Sequence, residues 1–156
     1  MDQIRVLFFI SVVLLTSLPA FAQNQETSES CRQDWKDAFR GDDYPKALEF
    51  FRRLQSAVEK NDRSAVAGMV LYPLRVSGEY RIHNRTAFLR HYDRIFDAKG
   101  RKAISSQVPE CIFGNWQGFM AGNGEVWFER YANDPTFRVV AVNSKSWPKP
   151  SRRSKK

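Results

Sequence analysis

Phe119-Met120-Ala121-Gly122-Asn123-Gly124-Glu125-Val126-Trp127-Phe128-Glu129 decides how this chain is read. Asn123-Gly124 is a dipeptide that accepts positive φ at successive positions, the geometry of a tight hairpin turn, and apolar residues flank it on both sides. Strands are expected over 112–120 and 125–131, joined by the turn 121–124. Along the second strand Val126 and Phe128 share one face, while Glu125, Trp127 and Glu129 share the other. Asp134-Pro135 marks another turn, and 137–142 reads as a last strand.

Upstream the period changes. Over 44–60, Ala47, Phe51, Leu54 and Val58 recur at helical spacing, and Arg52, Arg53, Glu59 and Lys60 point elsewhere. Asn61-Asp62 ends that helix, and Asp62 is placed to cap a short second one. Tyr72, Leu74 and Val76 then alternate with polar neighbours, Ser77-Gly78 turns the chain, and Tyr80 and Ile82 resume the alternation. Asn84 is an expected N-cap for a helix carrying Phe88, Tyr92 and Ile95, with Gly100 as its stop and no clear period over 101–110. The order is helix, helix, hairpin, helix, then three strands. Without alternating βαβ units a doubly wound parallel sheet is disfavoured, and helices packed on a curved antiparallel sheet, an α+β class, are expected.

Residues 1–22 read as a cleavable export signal. Arg5 precedes an apolar run over 6–15, and Ala20-Phe21-Ala22 is a small-x-small cleavage signature before Gln23. The run is shorter than the roughly 20 residues needed to cross a bilayer, so no transmembrane anchor is expected. A periplasmic or secreted location follows, with a flexible lead over 23–43, one domain over 44–143 and a tail over 144–156. Of the formal charge of +8, six units come from Lys145, Lys149, Arg152, Arg153, Lys155 and Lys156, leaving a mildly basic body. Such a tail is solvated, or makes weak contact with polyanions; in an export compartment these are lipid head groups and envelope polymers, not specific nucleic acid. Cys31 and Cys111 are expected to form a disulfide, worth about 4 to 5 kcal/mol in the chain-entropy model.

Phe50-Phe51-Arg52-Arg53-Leu54, Tyr72-Pro73-Leu74-Arg75-Val76, Phe88-Leu89 with Ile95-Phe96, and Gly122 to Phe128 follow an element order that resembles the NTF2-like, or SnoaL-like, superfamily. The resemblance covers about 44–143 and implies a sheet wrapped around a helix, enclosing a cone-shaped pocket. It also implies a homodimer through the outer sheet face. Members include isomerases, dehydratases and cyclases, as well as non-catalytic binding domains, so the fold alone does not choose among them.

An enzyme of that family places a carboxylate or histidine in the pocket, with a tyrosine or arginine to stabilise developing charge. The candidates are Glu125, Glu129, His91 and Asp93, then His83, with Tyr72, Tyr80, Tyr92 and Arg75 as helpers. A solvated helix face is the favoured reading for both His91 and Asp93. If Val126 and Phe128 face the helices, both glutamates are solvent-exposed; if the Trp127 face turns inward, burial raises their pKa values toward a range useful for proton transfer. No Ser-His-Asp arrangement, phosphate-binding glycine loop or metal-ligand spacing is present, so neither a metal nor another cofactor is expected. Asn84-Arg85-Thr86 matches a glycosylation acceptor, but a helix cap already explains Asn84.

Four tryptophans and twelve phenylalanines give an aromatic interior or pocket lining, for which Tyr72, Arg75, Trp116 and Trp127 are the candidate ligand-binding residues. The chain therefore reads as an exported, non-enzymatic binding protein for a small apolar ligand in the cone or an envelope component on the sheet. An acid-base lyase or isomerase, and an inhibitor or immunity-type protein against an exported enzyme, are the alternatives.

Overall fold

Asn61 and Asp62 divide the first two helices by different chemistry. The structure, a computed structural model, describes residues 43–130 and 134–148. Helix α1 (Asp43–Glu59) ends where Asn61 takes φ 51°, with Asp62 N–H donating to Ala57 O and Asn61 N–H to Val58 O. Those paired bonds satisfy carbonyls that the helix end would otherwise leave open. The Asp62 carboxylate then accepts from Ala65 N–H and starts α2 (Arg63–Gly68). Strands β1 (Val70–Val76) and β2 (Tyr80–Ile82) form the expected hairpin. Asn84 caps α3 (Arg85–Arg90), and α4 (Tyr92–Ile95) follows after a break at His91.

Gly100 does not stop a helix. It lies in the first turn of α5 (Ala98–Ser106), where its N–H donates to the Asp97 carboxylate. The stretch 112–120 is likewise two strands, β3 (Phe113–Asn115) and β4 (Gly118–Ala121), after a 3-10 turn at Pro109–Cys111. Gly118 at φ 120° permits the reversal, because a Cβ there would press Phe128 O at 2.7 Å. Strands β5 (Val126–Glu129) and β6 (Arg138–Val142) complete the order.

The curved antiparallel cone is corrected. The six strands form one mixed sheet in the order β2-β1-β6-β5-β4-β3, and β6 runs parallel to β1. The sheet is open, with β2 and β3 as its edges. Hairpin turns impose antiparallel pairing only on strands adjacent in sequence, and β1 meets β6 without such a turn.

One face of the sheet packs on the helices. Phe50 of α1 meets Phe128 and Phe137, Phe51 meets Phe128, and Phe119 packs on Phe128 and Phe137, with ring centroids between 5.2 and 6.1 Å apart. A second set joins Tyr72, Phe88, Tyr92 and Phe96. These rings fill the space between α1 and the sheet where the cone was expected to be hollow.

The expected Cys31–Cys111 disulfide falls partly outside the described residues. Cys111, the one cysteine among the described residues, is disulfide-bonded rather than a free thiol, and Cys31, the chain's other cysteine, lies outside the described residues. The segment around Cys111 is also held by Tyr44 donating to Glu110 O, the Arg52–Glu110 ion pair and Gln107 Nε2 donating to Cys111 O. The export signal at 1–22, most of the lead and the basic residues 149–156 also lie outside the described residues.

Candidate functional site

Because side chains alternate along a strand, the positions turned away from the helices line up across the sheet. Register places Arg81, Arg75, Ala141, Trp127, Met120 and Phe113 in one row, one from each strand. The row is basic at the β2 edge and apolar toward β3. Phe113 is 44% exposed, and Trp116, in the neighbouring β3–β4 turn, is 91% exposed. Exposed large apolar groups gathered on one face are the surface feature that most often marks recognition.

A shallow trough of about 240 Å³ follows this face, lined by Arg75, Gln117, Trp127, Val140 and Asn143 among others. Its floor depends on a bulge in β6. Trp127 pairs with Ala141 and Phe128 with Val139, which leaves Val140 as an extra residue. Val139 stays in the core while Val140 reaches the trough, although both are buried. A bulge re-aims one side chain without ending the strand. Among the described residues no acid pairs with Arg75, so its exposed guanidinium keeps its charge available.

Of the four expected ligand-binding residues, Arg75 and Trp127 thus share one trough, and Trp116 sits in the turn next to trough-lining Gln117. Tyr72 belongs to the opposite face. Its hydroxyl donates to Ala67 O at 3.1 Å, its ring meets Phe88, and burial pushes the phenol up to about 12 against the opposing charge of Arg85.

A second, polar cleft of about 670 Å³ opens beside the β4–β5 turn, lined by Lys99, Asn123, Glu125, Ser144, Lys145 and Trp147 among others. Glu125 is buried here rather than solvent-exposed, although Val126 and Phe128 do face the helices. It precedes β5 and tucks beneath the turn, where it pairs with Lys99 and accepts from Asn123 N–H at 2.6 Å. Burial raises its pKa, but the Lys99 bond and charge and the backbone donors outweigh burial and hold it below the ordinary 4.5. That direction is opposite to the shift a proton-transfer role required. Gly122, at φ 65°, leaves the space that Glu125 Oε2 and Ala103 occupy.

Asp97, which the sequence reading passed over, organises the other wall. Its Oδ1 accepts from Gly100 N–H, and its Oδ2 from Ser144 Oγ and the N–H groups of Lys145 and Ser146. Burial opposes ionisation, yet these donors hold the carboxyl below its ordinary value. The segment 144–147 is consequently packed on the domain and does not begin the solvated tail. Trp147 meets Tyr80 at 5.8 Å and His91 at 5.7 Å, under the Arg94 guanidinium.

The remaining acid-base candidates do not converge. His91 serves that aromatic contact, and His83 is exposed on the surface. Asp93 is exposed and paired with Arg63 and Arg101. Glu129 lies opposite Arg138 at the far end of β5 from Glu125. Among the described residues no group of three or more histidine, cysteine, aspartate or glutamate side chains is placed to hold a metal ion. No described helix is long and apolar enough to cross a membrane. Lys99, Asp97, Gln117 and Val140 are the site residues that sequence reading missed; only Asp97, placed as an N-cap before Ala98, carried a local signal. Comparison with known proteins finds no matching family model, no similar curated protein and no similar solved structure.

Proposed function

We propose that this is an exported, non-enzymatic binding protein that takes an envelope component on the open face of its sheet. The carrying observation is the six-strand row with its apolar end, its Arg75 with no acid partner among the described residues, and the trough beneath Trp127. The aromatic rings packed under α1 remove the support for a small apolar ligand held inside a cone, and the surface trough takes its place. Export rests on the signal-like residues 1–22, and relationship to the NTF2-like superfamily rests on element order alone.

The test is a photo-crosslinking side chain at Ala141 in the trough, or at Glu49 on the exposed side of α1, in the chain expressed by an exporting host. The expected result is a mature chain starting at Gln23, with an envelope-derived adduct at 141 and none at 49. Equal adducts at both positions, or none at either, overturns the sheet-face reading.

A further inference from the structure

We infer that the trough receives an extended acidic glycan, which rests on the binding reading above and names the component. Sugar rings present flat C–H faces, and the indole of Trp127 with Val140 and Ala141 supplies an apolar floor for one. Gln117 carries an amide suited to hydroxyl groups, and Asn143, whose Nδ2 donates to Gly124 O at 2.6 Å, keeps its side-chain carbonyl for another. Arg75 offers a planar fork for a carboxylate, with no described acid competing for it. Strands β5 and β1 are separated by β6, so the Trp127 and Arg75 backbones lie about 9.5 Å apart. That span matches two linked sugar rings, one stacked on the indole and the next presenting its carboxylate to the guanidinium.

Charge along the chain favours the same occupant. Arg81 stands beside Arg75 in the row and donates to the carbonyl of Gly78, a residue that lines the trough. An acidic glycan therefore meets a second cation beside Arg75, whereas a neutral glycan gains nothing from it. A second copy of this chain would set Arg75 and Arg81 against like charge on a molecule already at +8. A flat bilayer would bridge the concave trough without contacting its floor.

The full secreted chain is titrated with an oligogalacturonate and with a malto-oligosaccharide of equal length, following tryptophan fluorescence and heat at low and physiological salt. The acidic oligomer is expected to bind saturably, with affinity falling about tenfold as salt rises. The neutral oligomer is expected to give no saturable signal. Trp127→Ala and Arg75→Ala are each expected to weaken binding about tenfold, and Arg75→Lys by less because charge survives without the fork. Trp127→Phe, which keeps a flat ring, guards against misfolding and is expected to retain most of the affinity. Absent binding, equal binding of the neutral oligomer, binding unaffected by these changes, or binding confined to phosphatidylglycerol vesicles overturns the glycan assignment. An envelope adduct at position 141 without oligogalacturonate binding overturns this inference alone, whereas loss of the adduct removes the sheet-face reading beneath it.

Discussion

At Asp97 one carboxylate closes α5 and ties down a segment almost fifty positions away, through Gly100, Ser144, Lys145 and Ser146. Asp97→Asn keeps the volume but removes the charge and turns a donor group toward other donors. The expected cost is about 3 kcal/mol in urea unfolding at neutral pH. Because the folded carboxyl sits below its ordinary 3.8, its stabilising effect is complete above that value and fades as pH falls through the lower folded value. The difference between Asp97→Asn and the parent chain should therefore shrink in strong acid, and urea midpoints at both pH values check it. Glu125 follows the same sign from its ordinary 4.5. Glu125→Gln is expected to cost about 2 kcal/mol by losing the Lys99 ion pair, while Glu129→Gln should lie within about 0.5 kcal/mol. Equal unfolding midpoints for the two variants would refute the anchoring role of Glu125. At this scale the Asp62 and Asn84 caps were legible because their acceptors serve N–H groups three residues on. Asp97 carried the same cap signal toward Gly100, but its hold on Ser144, like that of Glu125 on Lys99, joins distant parts of the chain and left no local mark.

Among the elements, those with a strong local pattern were legible: α1 by its apolar stripe, the β1–β2 hairpin by alternation and the β4–β5 turn by Asn123-Gly124. Helix α5 was hidden by Gly100, which costs helix propensity but occupies a capped first turn with space around it. The β3–β4 reversal was hidden by the apolar run around Trp116, although Asn115 and Gly118 flank the turn. The element with the clearest energetics is the segment 144–147. Basic and proline-rich neighbours made it read as tail, yet Ser144 is buried and Trp147 sits among Tyr80, His91 and Arg94. Trp147→Ala removes an aromatic anchor and is expected to cost about 2 kcal/mol. Amide hydrogen exchange at Lys145 and Ser146 should accelerate in that variant, while α1 loses no more protection than the global stability change requires. Unchanged exchange would assign the segment's hold to Asp97 alone.

For the whole molecule the decisive feature is the place of β6. It lies between β1 and β5, so it joins the β1–β2 hairpin to the three strands β3 to β5. Its side chains Val139 and Val142 are fully buried, and Val139 N–H donates to Met69 O across that junction. The contact spans some seventy positions in sequence, which is why local turns and periodicity did not reveal the parallel pairing or the row built upon it. A chain ending before Arg138 should therefore lose more than one strand, because both halves of the sheet would expose inner edges and the aromatic core would open beside Phe128. The expected outcome is the disappearance of cooperative urea unfolding and of the near-ultraviolet circular dichroism from packed aromatic rings. Full-length Val139→Asp, which buries a charge at the same junction, should cost at least about 3 kcal/mol while leaving the chain length intact. If the shortened chain instead retains a cooperative transition, the β1–β2 hairpin and its helices fold without the rest of the sheet. The domain would then be two units joined by β6, and the row from Arg81 to Phe113 would depend on their docking.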